Sequence, residues 1–308
     1  MCSKKATREA YGEALKMLGE KYDFLVLDAD LSKSTKTDTF KKIYPERFIN
    51  TGIAEGNMMT IAAGIASTGR TAFASTFAIF AAGRAYEQIR NSICYPKLSV
   101  VVAGSHAGIS VGEDGASHQA IEDISLMRTI PNMTVISPAD DIETIQATEA
   151  ALKLKAPVYL RLGRLGVERV NKDDYKFELG KGSTLAEGND ATIIATGLMV
   201  QEALKAREML LKDGINARVI NIHTIKPIDE EIIIKAAKET GKIVTCEEHN
   251  RYGGLGSAVA EVLSTKYPVK MAMVAIDDKF GQSGKPAELM KIYGLDAESI
   301  CNKVKSLF

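Results

Sequence analysis

The sequence predicts an α/β protein made of two doubly wound domains, and three observations carry the prediction. Short β-rich runs alternate with helix-length segments along the chain. Most of these runs are apolar at successive positions rather than at every second one, the mark of strands buried on both faces of a parallel sheet. At 308 residues the chain is also about twice a typical ~150-residue domain. A polar stretch from Glu168 to Asp190 divides it, so the expected organisation is a first domain over 1–170, a linker over 171–190 and a second domain over 191–308.

In the first domain the β-rich runs are Asp23 to Asp30, Thr71 to Phe77, Leu98 to Gly104, Thr134 to Pro138 and Val158 to Gly163. Thr7 to Leu18, Met58 to Thr68, Ile79 to Ile93, Gln119 to Thr129 and Ile142 to Lys153 alternate with them, each long enough for a crossover helix. The linker is marked by charge and glycine. In the second domain, strands are expected at Ala191 to Thr196, Ala217 to Ile222, Lys242 to Glu247 and Lys270 to Ile276. Its helices are expected at Met199 to Lys212, Asp229 to Glu239, Leu255 to Ser264 and Ala297 to Leu307.

Composition excludes several classes. Charges cancel, with 39 Lys+Arg against 39 Asp+Glu, and 45% hydrophobic content is ordinary for a globular chain, which argues against disorder and a generally basic nucleic-acid binder. Four cysteines without a Cys-x-x-Cys pair fit a reducing compartment rather than a disulfide scaffold. The start lacks an apolar signal region, and no stretch reaches the ~18 apolar residues of a membrane span. A cytoplasmic protein without membrane or nucleic-acid partners is expected.

Familiar cofactor signatures are missing. The first strand runs into Asp28-Ala29-Asp30-Leu31-Ser32 rather than a G-x-G-x-x-G or P-loop run, and His106, His118, His223 and His249 have no metal-ligand spacing. The informative run is 104–119, which leaves the carboxyl end of a buried strand, where doubly wound sheets bind ligands. It gathers His106, His118, Glu113, Asp114 and four glycines. A second run, Gly52-Ile53-Ala54-Glu55-Gly56, places a carboxylate at the start of an apolar helix. Read alone, the first run also fits a polar surface loop and Glu55 a first-turn acid favoured by the helix dipole.

Together these runs resemble transketolase, over the whole chain. Glu55 matches the glutamate with which thiamine-diphosphate enzymes grip the aminopyrimidine, and Ser75-Thr76-Phe77-Ala78-Ile79-Phe80 is similar to the segment whose aromatics pack on that ring. Gly112-Glu113-Asp114-Gly115 with His118 resembles the ketose-binding loop, and Glu248-His249-Asn250 with Gly253-Gly254-Leu255-Gly256 resembles the family's carboxy-terminal domain. The implied architecture is a thiamine-diphosphate pyrimidine-binding domain followed by a transketolase C-terminal domain. The Gly-Asp-Gly motif of the family's amino-terminal domain does not occur in the sequence. The expected protein is therefore the carboxy-terminal subunit of a split transketolase.

The resemblance implies the following roles. Glu55 and His118 would be catalytic; Glu55, Phe77, Phe80 and Asp30 would contact thiamine diphosphate. Asp114 and His118 would read sugar hydroxyls, while His106, Arg164 and Ser34 would hold the terminal phosphate, Arg164 with a fork suited to it. Lys4, in Ser3-Lys4-Lys5, near where family members often carry an arginine, would join them in binding the substrate, and Gly83 stands at about the place of a family aromatic. No metal ligand is expected from this chain: magnesium would be held by a separate amino-terminal subunit, with which it would form a heterotetramer, and alone it would pair with itself. Sugar phosphates would be the substrates. The β subunit of a 2-oxo acid dehydrogenase first component, half of a deoxyxylulose phosphate synthase and a non-catalytic assembly protein stay open as alternatives. The turn Arg251 to Gly256 could cradle an anion or simply pack, and His223 and His249 read as structural.

Overall fold

The computed structural model describes residues 4–308; Cys2 and Ser3 lie outside the described residues. Among the described residues fourteen strands occur in chain order. In the first half these are β1 (Lys5–Ala6), β2 (Phe24–Asp28), β3 (Phe48–Asn50), β4 (Thr71–Phe77), β5 (Val100–Ser105), β6 (Thr134–Ile136), β7 (Val158–Arg161) and β8 (Gly166–Val167). The rest are β9 (Ser183–Ala186), β10 (Ala191–Ala195), β11 (Ala217–Asn221), β12 (Thr224–Lys226), β13 (Lys242–Asn250) and β14 (Lys270–Ile276).

The first sheet has the order β12-β6-β7-β5-β4-β2-β3, all parallel except β12. Consecutive apolarity has the expected cause. In β2, Leu25 and Leu27 enter a core with Met58, Met59, Ile89 and Met127 on one face, while Phe24 and Val26 enter another with Tyr11, Leu15, Phe40 and Ala147 on the opposite face. Helices Glu55–Ser67 and Asp123–Thr129 cover the first face; Thr7–Gly19 and Asp141–Leu154 cover the second. The second sheet runs β14-β13-β10-β11-β9, parallel except for the edge strand β9. There Ile193 faces Met199 and Val304, and Ile194 faces Ile233 and Leu263. Among the described residues no helix is long and apolar enough to cross a membrane.

Three departures from the sequence reading bear on the architecture. Ser183–Ala186, inside the expected linker, pairs antiparallel with β11, and Tyr175, in the same stretch, donates its hydroxyl to Glu143 at 2.6 Å. β12, from the second half, adds to the first sheet beside β6, so the two halves share a sheet. The segment expected as one helix over Ile79 to Ile93 is instead a π-helical turn (Phe80–Arg84), a short α-helical piece (Tyr86–Gln88) and a second π-helical turn (Ile89–Cys94). Such turns widen the helix by one residue and are frequent at functional sites.

Candidate active site

The candidate residues gather at the carboxyl edge of the first sheet, because parallel strands deliver all their exits to one side. Glu55 opens helix Glu55–Ser67 after β3 and is buried, 4% exposed. Its Oε1 faces Arg84 Nη1 at 3.7 Å, and the Arg84 guanidinium lies 4.5 Å from the centre of the Phe80 ring. Phe77, the last residue of β4, and Phe80, in the π-turn that follows, are nearly parallel, 12° apart at 5.8 Å. His118 stands edge-on to both, at 6.2 and 5.4 Å. A carboxylate, a two-ring platform and an imidazole thus share one face. A Cβ at Gly83 would meet nothing within 4 Å, so the place expected of a family aromatic is open.

A cationic group lies beside it. Phe77 stacks on His106 at 3.9 Å. His106 is buried with φ +56, a left-handed backbone rare for a residue with a side chain. Arg8 Nη1 donates to His106 Nε2 at 3.0 Å and to the Ser34 carbonyl at 2.8 Å. Since a guanidinium only donates, Nε2 accepts and the imidazole proton belongs on Nδ1, directed to Ser105 Oγ at 2.9 Å. Burial first, then the charges of Arg8 and Arg164, push the His106 pKa down to about 3, so the ring is neutral. Burial and the neighbouring Arg164 also lower the pKa of Arg8, with Glu9 acting against them. Arg164, at the exit of β7, donates to the Val111 carbonyl at 2.6 Å and lies 3.6 Å from Asp114 and 3.8 Å from Glu113.

Asp28 braces the Ser34 side of the group. Buried at the end of β2, it accepts from Leu31 N–H at 2.6 Å and from the Thr35 and Thr37 hydroxyls at 2.6 and 2.9 Å. Burial raises its pKa against these donors. Asp30, with φ +62, exchanges hydrogen bonds with Asn50 at 3.1 and 2.9 Å on the exposed side of the same turn.

Of the residues expected from sequence, Glu55, Phe77, Phe80 and His118 come together on one face, while Ser34, His106 and Arg164 come together around Arg8, with Asp114 beside Arg164. Lys4 does not join them: it pairs with Glu168 at 3.2 Å, where β1 meets β8. The residue that sequence reasoning missed is Arg8. One signal was available, because a cation in the first turn of a helix opposes the macrodipole and so calls for a local anion. The Arg251 to Gly256 turn is filled from within, as Glu247 accepts from Leu255 N–H and Gly256 N–H at 2.7 and 2.8 Å. His223 and His249 are buried and bonded to Thr224 Oγ1 and the Asn250 carbonyl.

Comparison with known proteins decides the family. Residues 3–168 match the family described as transketolase, pyrimidine binding domain, and residues 180–300 match transketolase, C-terminal domain. The chain belongs to the transketolase family. A Methanocaldococcus jannaschii protein named for the C-terminal section of a transketolase is 52% identical over 97% of this chain and 95% of its own length. A 6-deoxy-6-sulfo-D-fructose transketolase subunit of Clostridium is 42% identical over 95% and 91%. Human transketolase is 39% identical over 98% of the chain, which spans 49% of the human protein. A solved structure described as a split gene transketolase, inactive beta4 tetramer, superposes with a TM-score of 0.91 at 52% identity, covering 99% of this chain and 98% of that one.

Membership makes the protein a transferase of a family that depends on thiamine diphosphate. The residues present fit the pyrimidine end of that cofactor. A buried carboxylate lies beside a flat two-ring face, with an exposed arginine, not a buried salt bridge, as its ionic neighbour. Among the described residues no three His, Cys, Asp or Glu side chains are grouped to hold a metal.

Proposed function

We propose that the chain is the carboxy-terminal subunit of a split, thiamine-diphosphate-dependent transketolase, moving a two-carbon ketol unit from a ketose phosphate to an aldose phosphate in the cytoplasm. A separate amino-terminal subunit would supply the magnesium and diphosphate anchor. The observation that carries the reading is the juxtaposition of Glu55 and the Phe77–Phe80 platform with the Arg8, His106 and Arg164 group on one sheet edge. The first matches a pyrimidine, the second a phosphate, and His118 stands between them.

The cofactor, when bound, supplies a carbon nucleophile at its thiazolium ring. Glu55 would hold the pyrimidine nitrogen through a shared proton, and the apolar helix behind it, with Met58 and Met59 fully buried, would keep water away. Phe77 and Phe80 would pack against the pyrimidine ring. His118 and Asp114 would bind hydroxyls of the sugar, with His118 Nδ1 hydrogen-bonded to Ser117 Oγ at 2.9 Å. Arg8 and Arg164 clamp the phosphate, and neutral His106 orients Arg8 through Nε2. Ser34 enters through its carbonyl, as the other anchor of Arg8. Asp30 lies at the rim of the same face.

Exposed Ile53, 77% accessible and two residues from Glu55, gives the face an apolar margin suited to a partner surface, or to a second copy in its absence. The test is reconstitution. The purified chain with magnesium, thiamine diphosphate, a ketose phosphate and an aldose phosphate is expected to be inactive, and activity is expected to rise with added amino-terminal subunit to a one-to-one ratio. Ketol transfer by the chain alone would overturn the split-enzyme reading, and silence with the partner would overturn the catalytic one.

A further inference from the structure

The second domain contributes none of the proposed catalytic or sugar-phosphate side chains, yet it holds the loop that carries Glu113, Asp114 and His118. Glu248, on β13, is buried, and its Oε1 accepts the Ser110 backbone N–H at 2.5 Å. Its carboxylate lies so close to Gly108, at φ +85, that a Cβ there would overlap it. Only glycine satisfies both that backbone angle and that approach.

Glu248 is itself held. Arg161 Nη2 donates to the Glu248 carbonyl at 2.9 Å while its Nε bonds Asp123 at 2.8 Å, and Tyr159 donates to the same carboxylate at 2.7 Å. At the other end of the loop, Gln119 Nε2 donates to the Ile109 carbonyl at 3.1 Å and to the Gln282 carbonyl of the second domain at 3.0 Å. Gly115 abuts Ser283, where a Cβ would come 2.6 Å from the hydroxyl oxygen. The stretch 108–119 is therefore tied or pressed to the second domain at 248, 282 and 283. Glu113, Asp114 and His118 lie between the ties.

We propose that Glu248 is a positioning residue for the sugar-reading loop, and that with Gln119 it makes the second domain the template that sets where Asp114 and His118 stand. A loop rich in glycine has little conformational preference of its own, so its bound shape must come from outside contacts. Glu248 is suited to this because an acceptor buried opposite one backbone N–H allows a single loop register; sliding the loop by a residue would leave both groups unpaired. The proposal rests on the ketose-binding reading of that loop.

The test compares Glu248→Ala with Glu248→Gln in the full chain. The amide keeps an acceptor for Ser110 N–H, and burial already favours the uncharged form of the native group. Two readouts separate this proposal from the function reading. Hydrogen exchange of the 108–119 amides, measured without partner or substrate, is expected to quicken at least about tenfold in Glu248→Ala and to stay near native in Glu248→Gln. With the amino-terminal subunit, the KM for fructose 6-phosphate is expected to rise about tenfold in Glu248→Ala, with thiamine diphosphate affinity unchanged. Gln119→Ala is expected to show the same pattern and serves if Glu248→Ala does not fold. Unchanged exchange in the loop, or equal loss of cofactor and sugar binding, would overturn the proposal. Quickened exchange in a chain that never gains activity with its partner would leave the positioning intact and overturn the function reading instead.

Discussion

Replacing Arg8 is expected to weaken sugar-phosphate binding, whereas replacing Lys4 is not. Arg8 is half-buried, held by the Ser34 carbonyl and His106 Nε2, with Arg164 close enough to lower its proton affinity. Two neighbouring guanidinium groups, that of Arg164 also 3.6 Å from Asp114 and 3.8 Å from Glu113, offer donors to a doubly charged oxyanion, and each hydrogen bond to a charged group contributes about 1.5–3 kcal/mol. Arg8→Ala is therefore expected to raise the KM for a ketose phosphate about 10- to 150-fold. Because the phosphate is remote from the reacting carbons, the KM for the unphosphorylated ketose is expected to stay within about twofold. Arg8→Lys keeps the charge but not the fork that reaches Ser34 and His106 together, so an intermediate value is expected. Lys4→Ala removes an exposed pair with Glu168 and is expected to leave both constants unchanged. The assay is steady-state ketol transfer with saturating thiamine diphosphate and excess amino-terminal subunit. Equal losses on both ketoses, or an effect of Lys4→Ala larger than that of Arg8→Ala, would refute the reasoning.

Three other outcomes are expected. Glu55→Gln should lower turnover about 100-fold while assembly with the partner, measured by sedimentation, is kept, since the amide cannot share the proton; near-native turnover would remove Glu55 from the mechanism. A histidine whose pKa falls from 6.5 to about 3 on folding binds fewer protons than the unfolded chain between those values, so His106 adds stability that is present above about pH 6.5 and lost as pH falls toward 3. His106→Gln should accordingly make thermal stability less steep between pH 6.5 and 4, by up to ~1.4 kcal/mol per pH unit, and an unchanged slope in melts across that range would contradict it. Gly254→Ala would drive a Cβ into the Glu247 carboxylate that caps helix Leu255–Lys266, and should destabilise the chain by about 2–4 kcal/mol in urea titrations; a native midpoint would show that the turn has room.

The sequence by itself determined the parts whose cause is local. Strand β4 (Thr71–Phe77), strand β14 (Lys270–Ile276) and helix Met199–Lys212 end where their residues predict. Strand β4, buried at every residue, carries only apolar or small hydroxyl side chains, and that pattern survives without knowledge of its neighbours. Glu55 and the 104–119 run were legible for a related reason, since a carboxylate heading an apolar helix and a glycine-rich loop leaving a buried strand are unusual when written out.

Tertiary structure decided what depends on partners distant in the chain. Edge strands β9 and β12 are short and half polar; they exist because β11 and β6 offer unpaired backbone groups to them. Arg8 is one cation among many in a list, and only the fold sets it beside His106, 98 positions away. The Gly253 to Gly256 turn has the composition of an anion cradle, and only the fold shows Glu247 already seated there. Glu248, 138 residues from Ser110, reaches the sugar-reading loop because the second domain packs against the first. Burial along one element is written in its own periodicity, but a charge or a hydrogen bond takes its meaning from a partner that sequence spacing does not identify.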